Sequence, residues 1–365
     1  MNKVIYNYLI FNYLKIIANF ILVFMALGIV LNLFEEIEFF KNLDVNISLP
    51  IFLTLLFVPN TIIKLIPFIV FFSSMWYFVS LNNKKEILTL KTFGVSNLKI
   101  IMSLSLTAFL FGTFIVLAIN PITSVMVKSY ENIKSNHSSY IDHLVSINKN
   151  GVWIKENNIN ERRIINAKRI IDNNLIEATI LVLNEKNLIV KRIESESINI
   201  SSNEWTLKKV AVYEEKKGDT GLFDVVFKDK LVLKSMYNAD KIYSAYKNLD
   251  TISFWELITE YEKLKDRGYP QKYLNEKINI FISLPFFLLL MVILASILTM
   301  HQRAKTQNVY YIFVSILVCV VVFYFKDLSI ALGQTGRIPL EISVWMPIIA
   351  VFLFCSIGVL SVNEK

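Results

Sequence analysis

Residues 177–200 read EATILVLNEKNLIVKRIESESINI. Apolar and polar side chains alternate along this stretch, with Asn184 and Asn187 placed at a turn between two such runs. Alternation with a period of two marks a strand that buries one face. A second stretch, EWTLKKVAVYEE (204–215), repeats the pattern after the turn formers Ser201 to Asn203. Short, closely spaced strands of this kind predict an antiparallel sandwich or partly open barrel, jellyroll-like in class. A soluble protein would hold such a domain without comment, but the flanking sequence here is of a different kind.

The chain has 365 residues, of which 54% are hydrophobic, and its mean hydropathy is +0.49. About 20 apolar residues cross a hydrocarbon core of ~30 Å. Six runs reach or approach that length, at roughly 16–34, 53–81, 98–119, 279–300, 309–325 and 344–361. The second is long and is interrupted by Pro59, Lys64 and Pro67, which predicts a kinked or tilted span. Three runs precede the β-patterned insertion and three follow it. The expected fold class is therefore a membrane α-helical protein with six transmembrane helices, three plus three, and an inserted all-β domain. The expected division is an N-terminal membrane half over 1–126, the insertion over 127–275 and a C-terminal membrane half over 276–365. The insertion ends in SFWELITEYEKLKDRG (253–268), which reads as a helix with Ser253 as N-cap and Gly268 as its stop. At the N-terminus no small-residue cleavage site follows the apolar residues, and Tyr6, Tyr8, Phe11 and Tyr13 read as interfacial. This predicts an uncleaved helix that lies along the membrane and runs into the first span.

Short-loop charge sets the orientation. Lys3 and Lys15 precede the first span, Lys84, Lys85, Lys91 and Lys99 follow the second, and Arg303 and Lys305 follow the fourth. The turn after the first span, EEIEFFKNLD (35–44), is mainly acidic, and Lys326 and Arg337 after the fifth are offset by Asp327 and Glu341. Both termini are thus expected in the cytoplasm and the insertion outside it.

Several chemistries lack their residues. The net charge of +8 comes without a dense basic stripe, so no nucleic-acid partner is expected. With ten glycines in all, there is no GxxxxGK[ST] phosphate loop, and no GxSxG elbow or HExxH pair is present. His137, His143 and His301 are scattered, so no metal site is expected. Cys319 and Cys355 both fall inside predicted spans and leave the insertion without a disulfide.

The loop NNKKEILTLKTFGVSN (82–97) sits between two long apolar runs and packs four charged side chains into its first ten positions. Asn83 reads as an N-cap with Glu86 three residues on, Gly94 as a stop, and Ser96 as the cap of the third span. Ile87, Leu88, Leu90 and Phe93 supply apolar surface and Lys84, Lys85 and Lys91 supply charge. A short amphipathic helix over 83–93, lying on the cytoplasmic membrane surface, follows. It either fixes topology alone or docks into a partner and passes movement to the spans on either side.

This loop resembles that of the lipopolysaccharide export permeases, with a Glu near the helix start, a basic residue further on and a closing Gly-Val-Ser. FVPNTIIKLIP (57–67), GVWIKE (151–156), TISFWEL (251–257) and LGQTGRIP…WMP (332–347) are similar to that family too, in the same order, over about residues 3–362. Within the family, TISFWEL and GQTGRIPLEISVWMP look more like the LptG than the LptF branch. The resemblance implies a permease subunit of an ABC exporter in the bacterial inner membrane, with a periplasmic jellyroll-like domain. It implies a paralogous LptF-like permease, a cytoplasmic ATPase dimer that binds the ATP, and periplasmic bridge proteins that receive lipopolysaccharide. The chain itself would hold no cofactor and would be no enzyme. Each buried CH₂ is worth ~0.8 kcal/mol, so a multi-chain lipid leaves a bilayer only if another apolar solvent receives it.

Residue by residue, the resemblance makes Glu86 the coupling carboxylate, with Lys91 on the same helix and Gly94 as its stop. Lys41 near the outer end of the first span would meet a lipid phosphate. The family tends to place several basic residues there, whereas this sequence has Glu35, Glu36 and Glu38, which would need a bridging divalent cation. Lys64 in the second span is a cavity-facing or snorkelling charge, and Trp153 is a lipid contact or a packing residue of the β domain. The pair Lys326 and Asp327 is expected at the outer edge of the fifth span. A membrane-anchored sensor or mechanotransmitter is the alternative, against which six spans count, and an intramembrane enzyme lacks a site.

Overall fold

The computed structural model describes residues 3–41, 43, 45–137, 145–148, 151–157, 162–171, 173–184, 188–215, 223–239, 242, 249–266, 269, 271–300 and 308–363. The chain forms two compact units. One comprises Met1–Ile133, Ile252–Trp255 and Asn275–Lys365, and the other Lys134–Thr251 and Glu256–Leu274.

The first unit is helical. Its elements are α1 (Lys3–Phe40), α2 (Ser48–Asn83), the short α3 (Glu86–Thr92), α4 (Asn97–Phe114), a π-helical turn (Ile115–Ile119) that runs directly into α5 (Asn120–His137), and later α8 (Gln271–Met300), α9 (Asn308–Gln334) and α10 (Leu340–Asn363). Six helical stretches among the described residues are long and apolar enough to cross a membrane, and α4, the π-turn and α5 together make the third. Pro59 and Pro67 both lie inside a continuous α2. Several buried hydroxyls find partners within their own helices, as a medium without water favours. Ser73, Ser105, Thr107 and Thr299 each donate to the carbonyl four residues back.

Helices α1 and α2 are the most closely paired. Leu9, Tyr13 and Ile17 are buried in the same apolar cluster as Tyr77, Phe78 and Leu81. The Tyr13 ring stacks on Tyr77 at 5.7 Å, Tyr13 Oη bonds Ser74 Oγ at 2.7 Å, and Tyr77 Oη donates to Leu9 O at 3.0 Å. The N-terminal segment is therefore packed against α2, and Tyr13, expected at the interface, is fully buried. Elsewhere a small residue lets backbones approach: a Cβ on Gly112 of α4 would stand 2.9 Å from Pro285 Cα of α8.

The second unit holds one antiparallel sheet of seven described strands: β1 (Val145–Asn148), β2 (Gly151–Asn157), β3 (Arg162–Ile171), β4 (Asn174–Leu183), β5 (Ile189–Asn199), β6 (Glu204–Glu215) and β7 (Phe223–Lys234). Each pairs with the next in sequence order, a meander. The stretch 177–200 becomes β4 and β5, and Asn184 Oδ1 accepts from Leu188 N across the turn. Two short helices, α6 (Phe254–Thr259) and α7 (Tyr261–Asp266), occupy the stretch expected to be one helix, with Glu260 N bonded to Glu256 O between them. Gly268, the expected stop, lies outside the described residues.

The sheet curls. Flat, β3 and β7 would lie ~19 Å apart at the usual strand spacing. Instead Arg163 of β3 donates to Lys234 O at the end of β7 at 2.8 Å, and the buried Glu156 of β2 accepts from Met236 N just beyond. Arg163 and Glu156 also pair, at 3.7 Å. One end of the meander thus closes toward itself as a partly open barrel does, around Trp205, whose Nε1 donates to Tyr237 O at 2.7 Å.

Curling is helped by a crease. Lys168, Glu177, Glu196, Lys209 and Asp229 form one row across β3 to β7, and each is skipped in the pairing while the register on either side is unchanged. Glu177 and Lys209 have φ of 51° and 48°. Across the row the buried positions are spaced by three: Ala167 and Ile170, Leu175 and Ala178, Ser195 and Ile198, Leu207 and Val210. A bend of this type lets a strand keep burying the same side of a sheet that has turned a corner.

Candidate functional site

Two places in the chain carry the residues the sequence singled out. The first is α3. The helix α2 continues through Asn83, so Asn83 is its last residue and not the N-cap of α3. Lys84 N bonds Ser80 O and Lys85 N bonds Asn82 O, and the chain then reverses through Lys85 at φ 58° to enter α3 at Glu86. The expected capping box is absent because a single left-handed residue makes the connection, and Lys85 gives no side-chain cap. At the other end the expectation holds. Gly94 has φ 78°, Gly94 N bonds Lys91 O at 2.9 Å and Val95 N bonds Leu90 O at 3.0 Å. This pair of bonds is a Schellman stop. Ser96 then accepts from Lys99 N and caps α4.

Glu86 is half-buried, and Tyr8 Oη of α1 lies 3.5 Å from both carboxylate oxygens. Lys91 is five residues on, which places it ~140° round the helix axis from Glu86. With Lys85, Asn82, Leu88, Asn97 and Met300 it lines a cavity of about 280 Å³. Glu86 and Lys91 are thus on different faces. Leu88 and Phe93 are 61% and 74% exposed, so the amphipathic character read from the sequence is present in the folded helix.

The second place is the face of the sheet opposite its core. Trp153, Ile164, Leu181, Ile189 and Tyr213, with Asn166, Thr179 and Arg192, line an open groove of about 490 Å³. Trp153 pairs across to Asn166 and Asn166 to Thr179, while Ile164 pairs to Leu181, Leu181 to Arg192 and Arg192 to Tyr213. Two adjacent rows therefore supply nearly the whole lining. The part of the sheet that carries these two rows thus has apolar side chains on both faces, one packed and one open. Arg192 stands 5.8 Å over the Tyr213 ring and pairs with Glu194 at the groove's edge.

The remaining candidates are dispersed. Lys41 is exposed one residue past α1. Lys64 is an exposed position within α2. Gly28 packs on Val58 and Ile62, which puts Lys64 near the level of mid-α1. Lys41 is then ~20 Å further along at 1.5 Å per residue, so the two lysines do not share a site. Among the acidic residues, Glu36 is buried and accepts from Tyr130 Oη of α5 at 2.7 Å, whereas Glu35 and Glu38 are exposed. Lys326 is not at the edge of a span: α9 continues to Gln334, and the ammonium lies 5.3 Å from the Phe287 ring and 5.9 Å from Phe323.

One feature escaped sequence reasoning altogether. A π-turn leaves backbone groups that the ordinary helical ladder does not serve. Trp255 of TISFWEL donates from Nε1 to Leu117 O in that turn at 2.9 Å, and Asn120 Oδ1, one residue beyond it, accepts from Phe254 N at 2.8 Å. The motif is an anchor on the third span. No local propensity in IVLAI (115–119) announces a π-turn.

These elements define a class: a polytopic helical membrane protein with a β domain inserted between two sets of three spans and a short amphipathic helix between the second and third. The family model described as Lipopolysaccharide export system permease LptF/LptG matches residues 7–361. The chain belongs to that family. Among individual curated proteins none matches it.

Proposed function

We propose that this chain is the permease subunit through which an ABC exporter lifts lipopolysaccharide out of the inner membrane and hands it to a periplasmic bridge. The observation that carries the reading is the open apolar groove on the β sheet. A soluble domain has no use for an exposed concavity lined by Trp153, Ile164, Leu181, Ile189 and Tyr213 unless an apolar ligand fills it. Acyl chains lying there lose contact with water while their head groups stay outside. Arg192 at the rim suits a phosphate-bearing lipid.

A paralogous permease completes the cavity in the membrane, and a cytoplasmic ATPase dimer supplies direction by favouring one of two states of that cavity. Helix α3 suits the coupling role, being stopped firmly by Gly94 and joined to α2 through only Lys84 and Lys85, so that it moves as a rigid piece. Glu86 is the carboxylate presented to the ATPase, Lys41 and Lys64 face lipid phosphates at separate depths, and Trp153 touches acyl chains. Both termini are cytoplasmic and the sheet is periplasmic.

The test is photocrosslinking in membranes that contain the whole exporter. A photoreactive residue at Leu181, in the groove, should capture lipopolysaccharide when ATP is supplied. One at Lys168, on the exposed crease, should not. Equal capture at both positions, or none at Leu181 while ATP is being consumed, would remove the groove from the lipid path.

A further inference from the structure

We propose that the cavity beside α3 is a binding site for the head group of an anionic phospholipid. Lys85 and Lys91 line it together with the carboxamides of Asn82 and Asn97, and Leu88 and Met300 give it an apolar side. Neither ammonium has a carboxylate within ion-pair distance among the described residues. Two uncompensated positive charges in a concavity attract an anion, and two carboxamides beside them offer donors to phosphate and acceptors to glycerol hydroxyls.

The occupant follows from the apolar side. The cavity is walled by the closing turns of two spans, at Asn82 of α2 and Met300 of α8, and by the first residue of a third, Asn97 of α4. It thus opens where spans end and a membrane's head groups begin. Leu88 and Phe93 leave apolar surface on α3 that suits an interface and not bulk water. A free phosphate would use the lysines alone, whereas a phospholipid uses both sides of the cavity. The volume of about 280 Å³ has room for a phosphate with its glycerol. The strained backbone at Lys85 also gains a purpose, because φ 58° turns that side chain into the same concavity as Lys91.

Binding stands apart from the export reading; only its consequence, that lipid composition sets how firmly α3 is held during coupling, rests on it. The experiment is native mass spectrometry of the delipidated full chain, titrated with phosphatidylglycerol and with phosphatidylcholine. The wild-type chain should retain one phosphatidylglycerol in preference to phosphatidylcholine. Attraction of a basic side chain to an anionic head group predicts a loss of roughly fivefold per lysine, so Lys85→Gln with Lys91→Gln should weaken retention about thirty-fold. Lys84→Gln with Lys99→Gln removes the same charge outside the cavity and should leave the preference in place. Lys85→Arg with Lys91→Arg should keep it too.

Equal losses in the two glutamine pairs, loss in the arginine pair, or no preference in the wild type would each overturn the proposal. Displacement of the lipid by millimolar inorganic phosphate would overturn it in favour of a free-phosphate site. No ATPase is present in this measurement, so failure of the coupling role leaves its result untouched.

Discussion

Replacing Gly94 by alanine isolates one backbone angle. An added Cβ at this position would meet nothing within 4 Å, so no clash contributes. What remains is φ of 78°, a conformation an L-residue adopts only at a cost of roughly 1–2 kcal/mol. That energy is carried by two bonds, Gly94 N to Lys91 O and Val95 N to Leu90 O, which hold only while the residue stays left-handed. Gly94→Ala should therefore raise the opening population of this turn by about five- to thirty-fold. Hydrogen exchange of the peptide spanning 90–97, measured on the detergent-solubilised chain, reads this directly. Gly94→Asn should show a smaller rise, since asparagine tolerates the left-handed region better. If alanine exchanges like wild type, or asparagine is as damaging as alanine, the stop does not depend on the angle and the argument for a rigid α3 fails.

Other perturbations test other links. Glu86→Ala should leave a stable chain that no longer co-purifies with its ATPase; retention of the ATPase together with unchanged lipid release would end the coupling assignment. Glu156→Ala strips a buried partner from Arg163 and from Met236 N, and should cost about 3–5 kcal/mol and make the β unit protease-sensitive within the full chain. Glu156→Gln keeps an acceptor for Met236 N and should cost clearly less. Trp255→Phe removes the donor to Leu117 O and should lower thermal stability by roughly 1–3 kcal/mol, because lipid offers the carbonyl no substitute. Glu177 and Glu214 are held below the usual carboxylate range, first by the hydrogen bond and then by the charge of Lys168 and Lys191. A lowered folded value adds stability above the ordinary carboxylate pKa and loses it as pH falls through the folded one. The melting-temperature gap between wild type and the double glutamine variant should thus be small at pH 7, shrink below about pH 4, and shrink in high salt.

Much of this architecture was legible because two periods dominate it. Runs of twenty apolar residues have few alternatives to spanning a bilayer, and alternation along 177–200 has few alternatives to a half-buried strand. The local errors share a cause. Asn83 has the side chain of a cap, but α2 runs through it and the chain turns instead at Lys85, a residue with no special liking for that angle. Tyr13 looked interfacial because tyrosine often is, but Ser74 lies opposite its hydroxyl. The π-turn and the buried side of Glu36 were beyond reach, since each depends on a residue far away in sequence: Trp255 for the one, Tyr130 for the other. The groove was half visible, in that alternation showed one apolar face, while the second appears only when register aligns Trp153, Ile164 and Leu181 across strands.

The crease across β3 to β7 has an evolutionary corollary. Each of these strands skips one residue in the same row, so the positions that face the core pass from odd to even numbers at one shared line while the core itself stays on the same side. Deleting a residue near Glu196 in β5 alone would turn Ile198 and Ile200 outward while their neighbours on β4 and β6 stayed put. Length changes in these strands are thus tied to one another. A change in the spacing from one hairpin tip to the crease therefore keeps the core in register only if the neighbouring strands change with it.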